Sequence, residues 1–482
     1  MADALHAARA ALAGRTAWLV GGAIRDRALG RATSDLDVVV DGDPGEAARA
    51  IARAAGRAAC FALSEEFGAW RVSARDASWQ IDVEALRDGS LDADLALRDF
   101  TVNAIAEPIG GGEPIDPLGG LRDLAARRLR MATPGAFAQD PLRVLRLARI
   151  AVELDLQGEP DTMRVAREHA GQLRRCSPER VFAELRRIVA APRALGGLQL
   201  MDELAATAVV LPELAALRGV EQSRYHHADV YGHTLEVLAR TIALGDVAGR
   251  EPSSVVRSLD GDAHEIESVL GERRATVAAL LEEPLADGMT RGEALRWGAL
   301  LHDAAKPLTR SVRPEDGRVT FVGHDERGAA LARELLGRLR ASERLRAHVA
   351  ALVRHHLLLG FLVHAPQPLS RRAVFGYLSA CSPVAVDVTL LSVADRLATR
   401  GDRAQEAIRA HLALAAQMLA HALRWRADGP PKPLVRGDEL ARELGIETGP
   451  QVGALLAQLS EAQYAGEIAT REQAVAHART LL

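Results

Sequence analysis

Lysine, cysteine and aromatic residues are all scarce in this chain of 482 residues. The three cysteines, Cys60, Cys176 and Cys381, are odd in number and far apart, which excludes a disulfide framework and points to a reducing compartment. Aromatic residues make up 4% while alanine is abundant, so the bulk of the chain is expected to be helical with little sheet. Lys306 and Lys432 are the only lysines. The remaining 58 basic residues are arginine; the bias reads first as coding composition, although the guanidinium fork also suits phosphate. No apolar run approaches the roughly 20 residues needed to span a bilayer, and the start, Met1-Ala-Asp-Ala-Leu-His6, lacks signal-peptide character. A cytoplasmic protein without a membrane partner is expected. The net charge of −4 excludes a globally basic surface, so any nucleic-acid surface must be local.

What is present suggests three or four structural units. Ala17–Val20 reads as a strand, followed by a glycine pair, a helix from about Ala23 to Leu29, and a β-branched run from Asp35 to Val40. Further strand signals lie at 70–73 and 80–83, and the turn-rich segment 110–114 closes a mixed α/β region. From Gln139 onward apolar positions recur at three- and four-residue steps, the pattern of helices. The polar stretch 245–262 reads as an insertion loop, and Gly429-Pro-Pro-Lys-Pro433 as a stiff connector before a last helical module. The expected units are residues 1–135, 136–220, 221–410 and 411–482.

Two constellations carry chemistry. In the first, Gly21-Gly22 sits between a strand and a helix, where backbone N–H groups can meet a phosphate and Arg25 lies one turn away. Asp35 and Asp37 are two residues apart in a strand, so both carboxylates project from one face and can share divalent cations. Together these suggest two-metal phosphoryl transfer.

Gly21-Gly-Ala-Ile-Arg-Asp26, Asp35-Leu-Asp37, Arg98-Asp-Phe-Thr-Val-Asn-Ala104, Asp116-Pro-Leu-Gly-Gly-Leu-Arg-Asp123 and Asp140-Pro-Leu-Arg-Val-Leu-Arg146 occur in that order. The set resembles the motifs of class II tRNA nucleotidyltransferases, the CCA-adding enzymes, and their poly(A) polymerase relatives. The resemblance implies an α/β nucleotidyltransferase head with a small antiparallel or mixed sheet, then a mostly all-α body. It also implies Mg²⁺ on Asp35 and Asp37, with nucleotide contacts from Gly21, Gly22, Arg25, Arg98, Asn103, Asp140, Arg143 and Arg146. Asp82 and Glu84 are both candidates for a further acidic group. The implied partners are tRNA, ATP and CTP.

Asp140 and Arg143, three apart on an expected helix, offer an acceptor beside a fork of donors. Cytosine and adenine each present an amino donor beside a ring-nitrogen acceptor and fit this pair, whereas guanine and uracil present the opposite order. Buried mismatches of this kind support discrimination of roughly 10⁴–10⁵. Gln139 stands where the family often has glutamate, and Leu97 where it often has a second arginine. Glu179, Arg180 and Glu184 resemble the next motif, in a structural role, with Ser177 as a helix cap. Residues 136–193 hold 11 Arg against 8 Asp plus Glu, a local positive excess that fits a neck beside a polyanion.

The second constellation is His233, His302-Asp303 and Asp395, a ligand pattern in which imidazole and carboxylate together suit a divalent metal. It resembles the HD phosphohydrolase superfamily; His324 and His355-His356 are candidates for a second metal or a phosphate contact. Bacterial CCA-adding enzymes with an HD domain carry both constellations in this order. The expected function is template-independent addition of CMP and AMP to the tRNA 3′ end, with phosphatase or phosphodiesterase chemistry in the HD domain. The alternatives are a poly(A) polymerase, an enzyme adding only CC or only A, and, from another class, an HD phosphohydrolase whose head is an inactive RNA-binding module.

Overall fold

The computed structural model describes residues 2–56, 58–64, 68–222, 228–249, 259–400 and 404–482, which divide into two compact units. One comprises residues 1–191 and 196–210, the other 192–195 and 211–482.

The first unit opens with α1 (Ala2–Ala11), β1 (Ala17–Val20), α2 (Gly22–Ala28), β2 (Asp35–Val40), α3 (Pro44–Ala54), β3 (Ala59–Ser64), β4 (Ala69–Ser73), β5 (Gln80–Ala85), α4 (Leu91–Ala96) and β6 (Ala106–Pro108). The strands form one mixed sheet in the order β3-β4-β5-β2-β1-β6, with β2 and β5 parallel and the other pairs antiparallel. The four strands expected from the sequence form its centre. The edge strands β3 and β6 lack a comparable signal: β6 is three residues long and ends on Pro108, which an edge tolerates because no ladder bond is lost there.

Period-two alternation sorts the two faces. Leu36, Val38 and Val40 of β2 and Ile81 and Val83 of β5 pack with Ala8 of α1, with Leu12 just after it, and with Ala48 and Ile51 of α3. Asp35, Asp37 and Val39 therefore face the other way, as do Gln80, Asp82 and Glu84. There Val39 and Val20 pack on Leu95 and Ala104, and the polar ends of the strands stay free of the core.

After α5 (Gly120–Ala125) the rest of the first unit is helical apart from a short parallel pair of strands at 128–129 and 157–158, and it includes α6 (Ala136–Gln139) and α7 (Arg143–Leu154). Here one expectation is corrected. Asp140 and Arg143 do not share a helix: Asp140 is extended (φ −143°, ψ 100°) at the end of α6, and α7 begins at Arg143. The cause is Pro141, whose ring disfavours helical backbone in the residue before it. Ser177 does stand at the N-cap of Pro178–Ala190, but its side chain makes no capping bond.

The second unit is built of helices, with two short two-stranded hairpins at 284–290 and 311–320. The expected loop at 245–262 is corrected at both ends. The helix Val230–Ala248 runs through its first four residues and the helix Asp260–Leu270 begins within it, while residues 250–258 lie outside the described set. The expected boundary at 410/411 falls inside a single helix, Ala404–Asp428. The last three helices, Gly437–Leu444, Pro450–Ala465 and Arg471–Thr480, enclose a small core of their own around Leu440, Leu455, Leu459 and Ala474. Among the described residues no single helix is long and apolar enough to cross a membrane.

Candidate active site and candidate metal centre

A cleft of about 750 Å³ opens on the polar side of the sheet in the first unit. Its walls contain both metal candidates of the head, Asp35 and Asp37, and the eight nucleotide-contact candidates Gly21, Gly22, Arg25, Arg98, Asn103, Asp140, Arg143 and Arg146. Gly21 turns the chain from β1 into α2 at φ 72°, a conformation that suits glycine, and a Cβ there would stand 3.4 Å from an Asp37 carboxylate oxygen.

Parallel register sets Asp37 beside Asp82. Asp82 is already engaged, because Arg71 of β4 grips both its oxygens at 2.7 Å. Of the two candidates for a further acidic group, Glu84 lines the cleft and Asp82 does not. Burial, opposed by Arg98 and reinforced by Asp82, Glu84 and Asp35, pushes the Asp37 carboxyl up to about 6. A divalent ion at this place would relieve both the desolvation and the mutual repulsion. The donor set of carboxylate oxygens suits a hard cation.

The arginines are held by buried carboxylates that the sequence reading did not single out. Asp99, 5% exposed, accepts from Arg146 Nε at 2.8 Å, from Asn103 Nδ2 at 2.9 Å and from the Phe100 backbone N–H at 2.8 Å. Burial alone would raise this carboxyl, but Arg146, Asn103 and the Phe100 N–H together hold it at about 2. Asn103 passes the constraint on, since its Oδ1 accepts from Arg25. Asp94, fully buried, bonds Arg87 Nε at 2.7 Å and Arg98 Nη2 at 3.0 Å. One signal was available: Asp99 stands inside the motif that begins at Arg98.

Asp140 and Arg143 reach the cleft independently. One Asp140 oxygen caps the Leu142 N–H at 3.1 Å and the other accepts from Arg180 Nη2 at 2.6 Å. Arg143 donates to the carbonyls of Leu97 at 2.6 Å and Ala136 at 3.1 Å, and to Gln139 Oε1 at 3.3 Å. The amide at Gln139 thus keeps contact with Arg143 without a charge. Arg180 is part of the cleft wall, whereas Glu184 is buried against Arg149, the structural role expected of it.

In the second unit, His233, His302 and Asp303 form one group of possible ligands, and Asp303, His324 and His356 form another. His302 Nε2 lies 3.1 Å from Asp303 Oδ2, and His324 Nε2 lies 3.3 Å from Asp303 Oδ1. His233 Nε2 lies 3.0 Å from Asp395 Oδ1. All four residues of the sequence pattern therefore meet, and His324 and His356 join them; the neighbouring His355 belongs to neither group. The local fold explains the aim of the rings. The Nδ1 atoms of His302, His324 and His356 lie 2.7–2.8 Å from the carbonyls of Ala299, Phe321 and Val353, three residues back in each case. Donation from Nδ1 leaves each Nε2 lone pair pointing inward, which is the arrangement metal-binding histidines adopt.

Lys306, one of the two lysines of the chain, places Nζ 2.7 Å from Asp303 Oδ2. Burial would raise Asp303, but His302 and Lys306 hold it well below the usual carboxylate range. A cavity of about 170 Å³, lined by His356, His364, Ser392, Asp395, Arg396 and His411, reaches the cluster from outside.

Comparison with known proteins defines the class first. A family model described as the poly A polymerase head domain matches residues 17–130, one described as a probable RNA- and SrmB-binding site of polymerase A matches 155–217, and an HD domain model matches 230–400. An A-adding tRNA nucleotidyltransferase of Deinococcus radiodurans is 35% identical over 461 residues, covering 95% of this chain and 93% of the relative. A CC-adding tRNA nucleotidyltransferase of Thermus thermophilus is 34% identical over 466 residues, covering 95% and 92%. Across such lengths these identities make this chain a member of the tRNA nucleotidyltransferase family. A Thermotoga maritima CCA-adding enzyme complexed with tRNA superposes with a TM-score of 0.58 at 18% identity, covering 100% of this chain and 94% of that one, a likeness of fold.

Proposed function

We propose that this protein adds CMP and AMP to the 3′ end of tRNA without a nucleic-acid template, with CTP and ATP as substrates and Mg²⁺ as the cation of the head. One observation supports this above all: Asp35, Asp37 and Glu84 share a single cleft with a set of arginines held by buried carboxylates. The three acids would hold the ion. When bound, it supplies neutralisation of the triphosphate and acidification of the attacking hydroxyl.

The chain's own residues do the rest. Arg98 and Arg146, fixed by Asp94 and Asp99, receive phosphate oxygens without the entropy cost of ordering a free arginine. Asp140 keeps acceptor capacity and Arg143 keeps unused N–H groups, and both line the cleft, so the two read the amino group and ring nitrogen of cytosine or adenine. Their fixed anchors on Arg180 and on the Leu97 carbonyl replace the shared helix as the source of rigidity.

The HD cluster supports a second activity, metal-dependent hydrolysis of phosphate esters, because three imidazoles and Asp303 converge with their tautomers fixed. The identity of that metal is read by elemental analysis of the purified protein.

The decisive experiment incubates the protein with Mg²⁺, each NTP in turn and tRNA ending before, within or after the CCA sequence. Extension with CTP and then ATP is expected. Arrest after two cytidines, or addition of the final adenosine alone, replaces the full reaction with a partial one. Long adenosine tails indicate a poly(A) polymerase, and equal use of GTP or UTP overturns the base-reading role of Asp140 and Arg143.

A further inference from the structure

Most of the cations around the head cleft have an acidic partner of their own. Arg25 faces Asp26, Arg146 faces Asp99, Arg180 faces Asp140, Arg149 faces Glu184, and Arg187 faces Glu153, each as an ion pair within 4 Å. Arg143 is held by carbonyls and an amide. Asp94 serves two guanidiniums at once, Arg87 on one oxygen and Arg98 on the other. It stays ionised: burial would raise it, but Arg87 and Arg98 bring it below the ordinary carboxylate value. The trio therefore keeps a net positive charge, and both arginines lie in the cleft wall with Asp35, Asp37 and Glu84.

Local structure makes the arrangement rigid. After β5 the chain passes through Arg87, turns at Asp88 and Gly89, both at positive φ, and re-enters a helix at Ser90, whose hydroxyl accepts from the Ala93 N–H. This turn returns Asp94 to Arg87 across seven residues, and one further helical turn brings Arg98 to the opposite oxygen. Arg87 commits Nε to the carboxylate; Glu84 and Asp88 also act on its charge, but no hydrogen bond among the described residues ties its remaining donors, which are available to another anion.

We infer that Arg87, which no motif in the sequence singles out, is a phosphate-binding residue of the nucleotide site and grips the polyphosphate together with Arg98. The inference rests on the proposed nucleotidyl transfer and deepens it. Asp94 is the positioning residue that sets the two forks side by side, so that a pyrophosphate unit meets two preformed cations. A nucleoside monophosphate, which lacks that unit, gains little from Arg87.

The test measures binding of inorganic pyrophosphate and of CMP to the full-length protein by calorimetry, for wild type and Arg87→Ala. Pyrophosphate affinity should fall at least tenfold in the variant while CMP affinity stays within twofold. KM for CTP and ATP in the extension assay should rise by a similar factor, and Arg87→Lys, which keeps the charge but loses the fork, should fall between. Unchanged pyrophosphate affinity overturns the inference, and so does an equal loss for CMP, which indicates general damage to the cleft. Pyrophosphate binding does not require RNA extension, so failure here leaves the proposed reaction standing, and failure of the extension assay leaves this measurement readable.

Discussion

The two polar centres of this molecule solve the same problem, holding charged groups away from bulk water, in opposite ways. In the head, acidic groups project from neighbouring strands into a wide cleft, and several arginines are fixed by carboxylates distant in sequence, as Arg146 is by Asp99 and Arg180 by Asp140. In the HD cluster, the ligands other than the partly exposed Asp395 are almost wholly buried and each of three rings is fixed by a carbonyl three residues back. The open design leaves room for a large, changing substrate and relies on long-range pairs for precision. The closed design needs only local backbone geometry and admits little beyond an ion and a small group. Orientation by local bonds therefore goes with a narrow ligand repertoire, and orientation by tertiary ion pairs with a cleft that must accept several.

The contrast breaks if damage to one centre disables the other. Replacing Asp37 by alanine should lower nucleotide addition by about 10³-fold or more, the scale of removing a group that acts on charge in the transition state, while metal content in the HD cluster stays at the wild-type level. Elemental analysis beside the extension assay checks both halves. Conversely, Asp303→Ala should weaken divalent-metal retention by about 100-fold, since it removes the residue common to both ligand groups. Nucleotide addition should change by less than about twofold, the size of an uncoupled effect. Equal loss of both activities in either variant would show that the centres are coupled.

Two smaller effects sharpen the description of the head. Gly120→Ala places a methyl group 2.0 Å from the Thr101 carbonyl oxygen, so the backbone must shift; a loss of about 1–3 kcal/mol is expected, read as a lower melting temperature. Asp99 supplies a pH signature. Its folded value of about 2 lies below its ordinary 3.8, so its stabilising contribution is complete above about pH 4 and is lost as the pH falls through 2. The size is about 2 kcal/mol. Acid unfolding of Asp99→Asn should lack this segment of the curve, with the wild type more stable at pH 5 by roughly that amount.

The legible parts of the fold were those whose pattern is local. The run Asp35–Val40 announced a strand by β-branched content, and with it the shared face of Asp35 and Asp37. His233, His302, Asp303 and Asp395 could be gathered because residue types that bind metals are informative even when far apart. What stayed hidden was pairing. Nothing in the spacing of Asp94 from Arg87, or of Asp99 from Arg146, says that they meet, because those contacts exist only once β5, α4 and α7 are packed. The helix assigned to Asp140 was a misreading of local information, since Pro141 already argued against it.

Residue order alone thus determined the chemistry available to this protein: two acids on one strand, a set of arginines, and a set of imidazoles with carboxylates. Tertiary structure decided which of those groups lie together, leaving Glu84 in the cleft wall while giving Asp82 to Arg71, and bringing His356 into the cluster while His355 stays half-exposed beside it. The physical reason is that a side chain's reactivity is set by its type, whereas its partners, its burial and the charge it keeps are set by what the folded chain brings within a few ångströms of it.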